Sequence, residues 1–253
     1  MARQAKKSTA KGRKPARKSA RKPTRKVGGV RPFHWLLGWA LRIVLVVALL
    51  FTGLVALNAV VNPAGGVYML RERLRLGEID RQWVDLQDVA PVVARSVVAA
   101  EDANFCTHWG FDMSAIRLAI ADGGRRGGST LTQQVAKNLY LWHGRSYVRK
   151  AAEAVITPMI EGFWSKRRIV EVYLNIAEFD EGVFGIEAAS HHYFGVTPAK
   201  LTDVQAARLA AILPSPQSRS ASQPGEYVRR QSARIRDGAA TIARDGRAAC
   251  FED

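Results

Sequence analysis

Nineteen consecutive residues, Ile43 to Val61, carry no charge, and only Thr52 and Asn58 among them are clearly polar. A run of that length is about what a helix needs to cross the ~30 Å hydrocarbon core of a bilayer. Backbone in lipid must satisfy its own hydrogen bonds, so a single run of this kind can only be helical there. The reading is one transmembrane helix, placed at 36–61. Phe33, Trp35 and Trp39 lie at its N-terminal flank, where aromatic rings favour the interface, and Arg42 can snorkel from there. A cleaved signal peptide has a shorter apolar core and a much shorter leader, so the run reads as an uncleaved anchor.

The formal net charge of +16 suggests nucleic acid until it is located. Thirteen of the 38 Lys and Arg fall within residues 1–31, which hold none of the 22 Asp and Glu. The rest of the chain is nearly balanced, with 25 basic and 22 acidic side chains. Residues 1–32 form a basic tail too poor in apolar side chains to bury a core, and it is expected to be disordered. By the positive-inside rule the tail is cytoplasmic and the body lies across the membrane. The tail also suits anionic lipid headgroups. A near-neutral body, and no aromatic residue in 1–26, argue against a nucleic-acid partner.

Beyond Asn62-Pro63 a charged linker is expected to about Gln87, followed by helices. Val89, Val92, Val93, Val97 and Ala100 follow helical spacing up to Glu101-Asp102. Asp112, Ser129, Ser146 and Ser165 are candidate N-caps, with Pro158 a candidate kink in the helix that Ser146 opens. Further helices are expected over 185–193, 203–213 and 226–244. There is no internal repeat and no convincing alternation for a strand. Cys106 and Cys250 could pair in an oxidising compartment, although nothing in their spacing demands it.

Three segments could carry chemistry. In Gly127–Asn138, GGSTLTQQVAKN, a helix places Leu131, Val135 and Leu139 on one face and Thr130, Gln133, Gln134 and Lys137 on another. Amide donors, a cation and a helix start suit an oxygen-rich anionic ligand such as a sugar phosphate; an ordinary capped surface helix is the alternative. Glu101 and Asp102 end a helix, where acids oppose the macrodipole unless something else uses them. Arg145, Arg149 and Lys150 crowd a helix start beside Glu153, a mismatch that a bound anion would relieve. The rival motifs fail. Gly123 and Gly128 have the spacing of a P-loop, but Ser129 stands where its lysine should be. Ser8-x-x-Lys11 and Ser19-x-x-Lys22 lie in the tail without the motifs that accompany a penicillin-type serine. His191-His192 has no further ligand at metal spacing and reads as surface or helix packing.

In order along the chain, EDANFCTHWG, GGSTLTQQVAKN, RKAAE, KRRIVEVYLN and GIEAASHHYFG resemble the motifs of the peptidoglycan glycosyltransferases, glycosyltransferase family 51. The resemblance extends over 66–248, and LWHGRSYVRK and WSKRRIVEVYLNIAEFDEGVFGIEAA are most similar to the monofunctional, proteobacterial type. It implies a mainly α, lysozyme-like domain behind a single transmembrane helix, with no transpeptidase. It implies an enzyme of cell-wall synthesis that polymerises lipid II into β-1,4-linked glycan strands, releasing undecaprenyl pyrophosphate with inversion. Glu101 would be the general base. Glu153, the second catalytic glutamate, would orient the cations or hold a divalent cation, Mg2+ or Mn2+; no organic cofactor is implied. Lys137, Arg145, Arg149 and Lys150 would hold pyrophosphate. Asp102, Ser129, Thr130, Gln133, Gln134 and Asn138 would bind substrate or shape the cleft. Lys166, Tyr173 and Asn175 match a fourth motif with a partly structural role. The partners implied are lipid II, the growing strand, membrane lipids and cell-wall synthesis or division proteins. The location implied is the bacterial inner membrane with a periplasmic domain. Apolar surface near the anchor, from Trp83, Trp109, Phe111 or Trp142, would dip into the bilayer. A lysozyme-like hydrolase or lytic transglycosylase would share the fold and the glutamate, but it would give the cation cluster no phosphate partner.

Overall fold

The computed structural model describes residues 32–123, 127–144 and 146–252, and the chain divides between Val46 and Val47 into two compact units. The basic tail and Arg145 therefore lie outside the described residues. Helix α1 is Pro32–Leu57. Its stretch His34–Leu57 has a mean hydropathy of 2.6 and is almost wholly exposed within the protein, as suits a helix long and apolar enough to cross a membrane. Trp35 and Trp39 pack edge-on at 6.2 Å, and the Arg42 guanidinium lies 5.3 Å from the Trp39 ring. The helix stops at Leu57, short of Val61, because Asn58–Val61 turn back on the last carbonyls of α1.

The second unit is mainly helical: α2 (Val67–Leu76), α3 (Pro91–Glu101), α4 (Met113–Ala121), α5 (Leu131–Tyr140), α6 (Tyr147–Phe163), α7 (Lys166–Ile176), α8 (Ile186–Phe194), α9 (Asp203–Ile212), α10 (Glu226–Arg244) and the short α11 (Ala249–Glu252). Helices α3, α9 and α10 pack on one another, and α5 packs between α6 and α7. Leu131, Val135 and Leu139 are buried, as their spacing predicts. They turn into the core with Ile156, Ile160, Ile169 and Tyr173. Asp112, Ser146 and Ser165 each accept the backbone N–H bonds expected of an N-cap. Helix α6 continues through Pro158.

Three local expectations are corrected. The presumed linker contains α2, whose inner face buries Met69 and Glu72. A three-stranded sheet is present, β1 (Asp80–Arg81), β2 (Glu178–Asp180) and β3 (Val183–Phe184), in the order β1-β3-β2 with β1 parallel and β2 antiparallel to β3. Strands of two or three residues are too short to leave an alternation in the sequence. Thr130 caps α5 in place of Ser129: it accepts from Gln133 N–H while Gln133 Oε1 accepts from Thr130 N–H. That reciprocal pair is a capping box.

Cys106 and Cys250 form a disulfide that fastens α11 to the 3-10 turn Phe105–Thr107, just past Asp102. Arg247 Nη1–H to Ala103 O at 3.0 Å supports the same seam. The bridge closes a loop across 144 positions. In the chain-entropy account such a loop is worth about 5 kcal/mol at most. Replacing both cysteines with serine is therefore expected to lower the Tm by several degrees, read by circular dichroism; an unchanged Tm would show that the seam holds without the bond.

Candidate active site

Glu101 is the last residue of α3 and Asp102 its C-cap, so the two carboxylates leave the helix in different directions. Asp102 turns inward and is buried. Its Oδ2 accepts the Leu131 N–H at 3.0 Å, and its Oδ1 is 2.8 Å from His108 Nε2. The acid that ill suits the end of α3 thus sits at the positive start of α5, where the macrodipole favours it. Its effect is to join the two helices that carry the site.

Glu101 stays half-buried and faces α5. Gln134 Nε2–H donates to its Oε2 at 2.7 Å, and Tyr173 Oη–H donates to Gln134 Oε1 at 3.2 Å. The buried Tyr173 thereby fixes the amide that fixes the glutamate. Glu101 Oε1 makes no hydrogen bond among the described residues. Burial raises the pKa of Glu101, and Gln134 and Lys137 only partly oppose this.

Lys137, one turn further along α5, has its pKa lowered by burial; Glu153 and Glu101 raise it and Arg149 and Lys150 lower it. Glu153 is 2% exposed. Arg149 Nη1–H donates to its Oε2 at 2.5 Å and Lys150 Nζ–H to its Oε1. Lys150 also donates to Ser129 Oγ at 3.0 Å, tying the glycine-rich approach of α5 to α6. So Glu101, Gln134, Lys137, Glu153, Arg149, Lys150 and Ser129 converge. Their cations outnumber their carboxylates, which leaves positive charge for an anion. Both Glu153 oxygens are taken by cations, so these residues do not fit a divalent ion there.

Thr130 and Gln133 are buried in the capping box, and Thr130 Oγ1–H also donates to Gly110 O at 2.7 Å. Gly110 has φ +79°, and a Cβ there would lie 2.6 Å from Thr157 Cγ2, so this contact requires glycine. Lys166 donates to Glu161 Oε1 at 2.9 Å and to His108 O at 2.8 Å, and Asn175 pairs with both backbone groups of Val84. These five, Asp102 included, are held inside the protein rather than open to the cleft. Oxygen and nitrogen ligand atoms of Asp102, His108 and Asp112 lie within 4.8 Å of one another. Every oxygen of the two carboxylates already accepts an N–H or O–H from His108, Leu131, Ser114, Ala115 or Asn104, which makes the cluster a helix-capping network. His191 and His192 pair with Glu187 and Asp180 at the surface.

A cleft of about 460 Å³ extends from Gln134, Lys137 and Asn138. Asn138 Oδ1 is buried without a hydrogen-bond partner. Tyr173 of the fourth motif also lines it, together with Tyr68, His143, Glu178, Ser215 and Gln217, none of which the sequence marks as a site residue. Tyr68 Oη–H donates to Glu178 Oε2 at 2.7 Å, and Gln217 Nε2–H to Glu178 Oε1 at 3.1 Å. The Tyr68 and His143 rings lie 3.7 Å apart, and burial lowers the His143 pKa to about 4, so the imidazole is neutral at neutral pH. No local sequence signal marks these residues, because four separate segments bring them together.

Comparison with known proteins gives this arrangement a family. A family model described as transglycosylase matches residues 69–240. The biosynthetic peptidoglycan transglycosylase of Jannaschia sp. is 60% identical over 204 residues, 81% of this chain and 85% of that protein. The protein of the same name from Caulobacter vibrioides is 49% identical over 176 residues, 68% of this chain and 77% of that one. That from Rhizobium meliloti is 48% identical over 171 residues, 66% and 72% of the two chains. On these matches the chain belongs to the transglycosylase family as a peptidoglycan glycosyltransferase of cell-wall biosynthesis.

Proposed function

We propose that the chain polymerises lipid II, with the growing strand as donor and undecaprenyl pyrophosphate as leaving group. The observation that carries this reading is the placement of Glu101 next to a surplus of cations rather than beside a second free carboxylate. The 4-hydroxyl of the acceptor sugar gives its proton to Glu101 Oε1 as its oxygen attacks the donor anomeric carbon. The bond from that carbon to the phosphate oxygen breaks, and the electron pair leaves with pyrophosphate. Lys137, with Arg149 and Lys150 steadied by Glu153, stabilises the charge that develops. One direct displacement inverts the anomeric carbon. Gln134 and Tyr173 hold the base, and Asn138 lines the cleft beside Lys137. No step is routed through a metal ion.

Anchorage of α1 in the inner membrane, with the basic tail cytoplasmic and the domain periplasmic, keeps the enzyme beside a lipid-linked substrate. Exposed Trp109, Met113, Leu118 and Ile120 provide apolar surface that could meet the same bilayer. Incubation of the full chain with lipid II in one arm and mature cell wall in the other tests the direction of the reaction. Polymer and undecaprenyl pyrophosphate are expected from the first arm and no soluble sugar from the second. Anhydro-sugars from mature wall would establish the lytic reading instead.

The pH profile of kcat/KM is set by two shifted groups. Glu101 must be deprotonated to act, and its pKa is raised, so the acid limb should fall at a pH above the ordinary glutamate value of 4.5. Lys137 must be charged and its pKa is lowered, so the alkaline limb should begin below 10.5. An acid limb at or below 4.5, measured by initial rates across buffers, would count against Glu101 as the base.

A further inference from the structure

The end of the chain folds back onto the loop that follows Glu101. Past the buried Asp102 this loop comes to the surface at Ala103 and Asn104, and Phe105 then returns to the core. Arg247 Nη1–H donates to Ala103 O at 3.0 Å, and Cys250 is bonded to Cys106. The Phe251 and Phe105 rings, both buried, lie 6.4 Å apart. Helix α11 is fixed in turn to two larger helices. Glu252 Oε1 is 3.0 Å from Arg95 Nε of α3, and Arg167 Nη1–H of α7 donates to Phe251 O at 3.4 Å. A helix of four residues is not stable by itself in water, so these contacts are what hold α11 in place. On the other side of the loop, Lys166 Nζ lies 4.3 Å from the Phe105 ring centroid and donates to His108 O. Among the described residues the Glu101 carboxylate has one hydrogen bond, from Gln134, so its place depends on how the chain leaves α3.

We propose that the C-terminal clasp, above all Arg247 and the Cys106–Cys250 bond, positions Glu101 for catalysis by fixing the direction in which the chain leaves α3. The inference rests on Glu101 as the base of the proposed reaction. Asp102 pins the loop to α5 through Leu131 and to His108. The clasp pins the next residues from the opposite end of the sequence, so the loop cannot swing about Asp102. A bond that served stability alone could join any two distant segments. This one lands five positions after Glu101, and Arg247 and Phe251 meet the same short stretch. A reacting group misplaced by about 1 Å can cost about 10²-fold in rate. Gln134 still holds Glu101 Oε2 when the clasp is open, so about a tenfold loss is expected. Cys106 and Cys250 are only half-buried, which leaves the bond within reach of a dithiol.

The test uses the full chain in lipid vesicles with lipid II, assayed before and after treatment with dithiothreitol. The dithiol reduces the bond to the thiols of Cys106 and Cys250 and is itself oxidised to its cyclic disulfide. Thiol titration confirms the reduction, and circular dichroism confirms that the domain stays folded at the assay temperature. kcat is expected to fall about tenfold with little change in KM, and to return on reoxidation. A loosened Glu101 loses part of the burial that raises its pKa, so the acid limb of kcat/KM should move to lower pH. Lys137, Asp102 and Tyr173 are the other titratable groups that face it. A bond that only stabilised the fold would leave that limb where it is. Arg247→Ala, with the bond intact, should move kcat and the acid limb in the same directions by a smaller factor. Unchanged kcat and acid limb in the folded, reduced chain overturn the proposal. If reduction unfolds the domain, Arg247→Ala decides: the shifts described support the proposal, and native values overturn it. A native chain that makes no polymer before dithiothreitol is added defeats the reading of the reaction, and the proposal with it.

Discussion

Glu101→Gln is expected to lower strand polymerisation by about 10²–10⁴-fold, the usual worth of a general base. The replacement keeps an oxygen to accept the Gln134 N–H that now bonds Glu101 Oε2, so the link from Tyr173 through Gln134 survives. Burial disfavours the charged form of Glu101, as its raised pKa indicates. A neutral isostere should therefore leave the Tm unchanged or slightly higher. Loss of activity together with a large fall in Tm would point to a structural role, and full activity would remove Glu101 from the mechanism.

Lys137→Met should lower kcat by about 10²–10³-fold, the range seen when one group that stabilises developing negative charge is removed. Methionine keeps most of the apolar stem, so packing on α5 is little disturbed. The charge develops in the transition state, so kcat should fall more than KM rises. A pure rise in KM would make Lys137 a ground-state phosphate ligand. A hydrolase acting on phosphate-free glycan would barely respond, so this variant separates the two enzyme classes.

Much of this site could be read from the residues, and what could not has identifiable causes. Apolar spacing located α5 and α7, and single-residue caps located the starts of α4, α6 and α7, because these signals are local. The mismatch of Glu101-Asp102 at a helix end was visible as a cost, but its solution was not. Asp102 reaches Leu131, 29 positions away, and no short-range rule anticipates that contact. Thr130 was available as a cap, since Thr130-x-x-Gln133 is the capping-box pattern; Ser129, one residue earlier, competes with it on composition alone. Helix α2 was hidden because one face is built for the core with a buried Glu72 and the other exposes leucines, so its hydrophobic period is blurred. The lining contributed by Tyr68, His143, Glu178 and Gln217 depends wholly on tertiary packing.

Asp102, Thr130 and Gln133 show how one motif combines two roles. They fix the start of α5, and Gln134, Lys137 and Asn138, on the next turns, face the cleft. Substitutions in the first group should therefore be read for stability as well as rate. Those in the second group should act mainly on rate.

The most direct measurement is the stoichiometry and stereochemistry of the product made from purified lipid II by the full chain in vesicles. One undecaprenyl pyrophosphate released per new β-1,4 linkage, with inversion at the donor anomeric carbon, is the predicted result. Retention of configuration, or release of pyrophosphate without a matching glycosidic bond, would contradict a single displacement driven by Glu101.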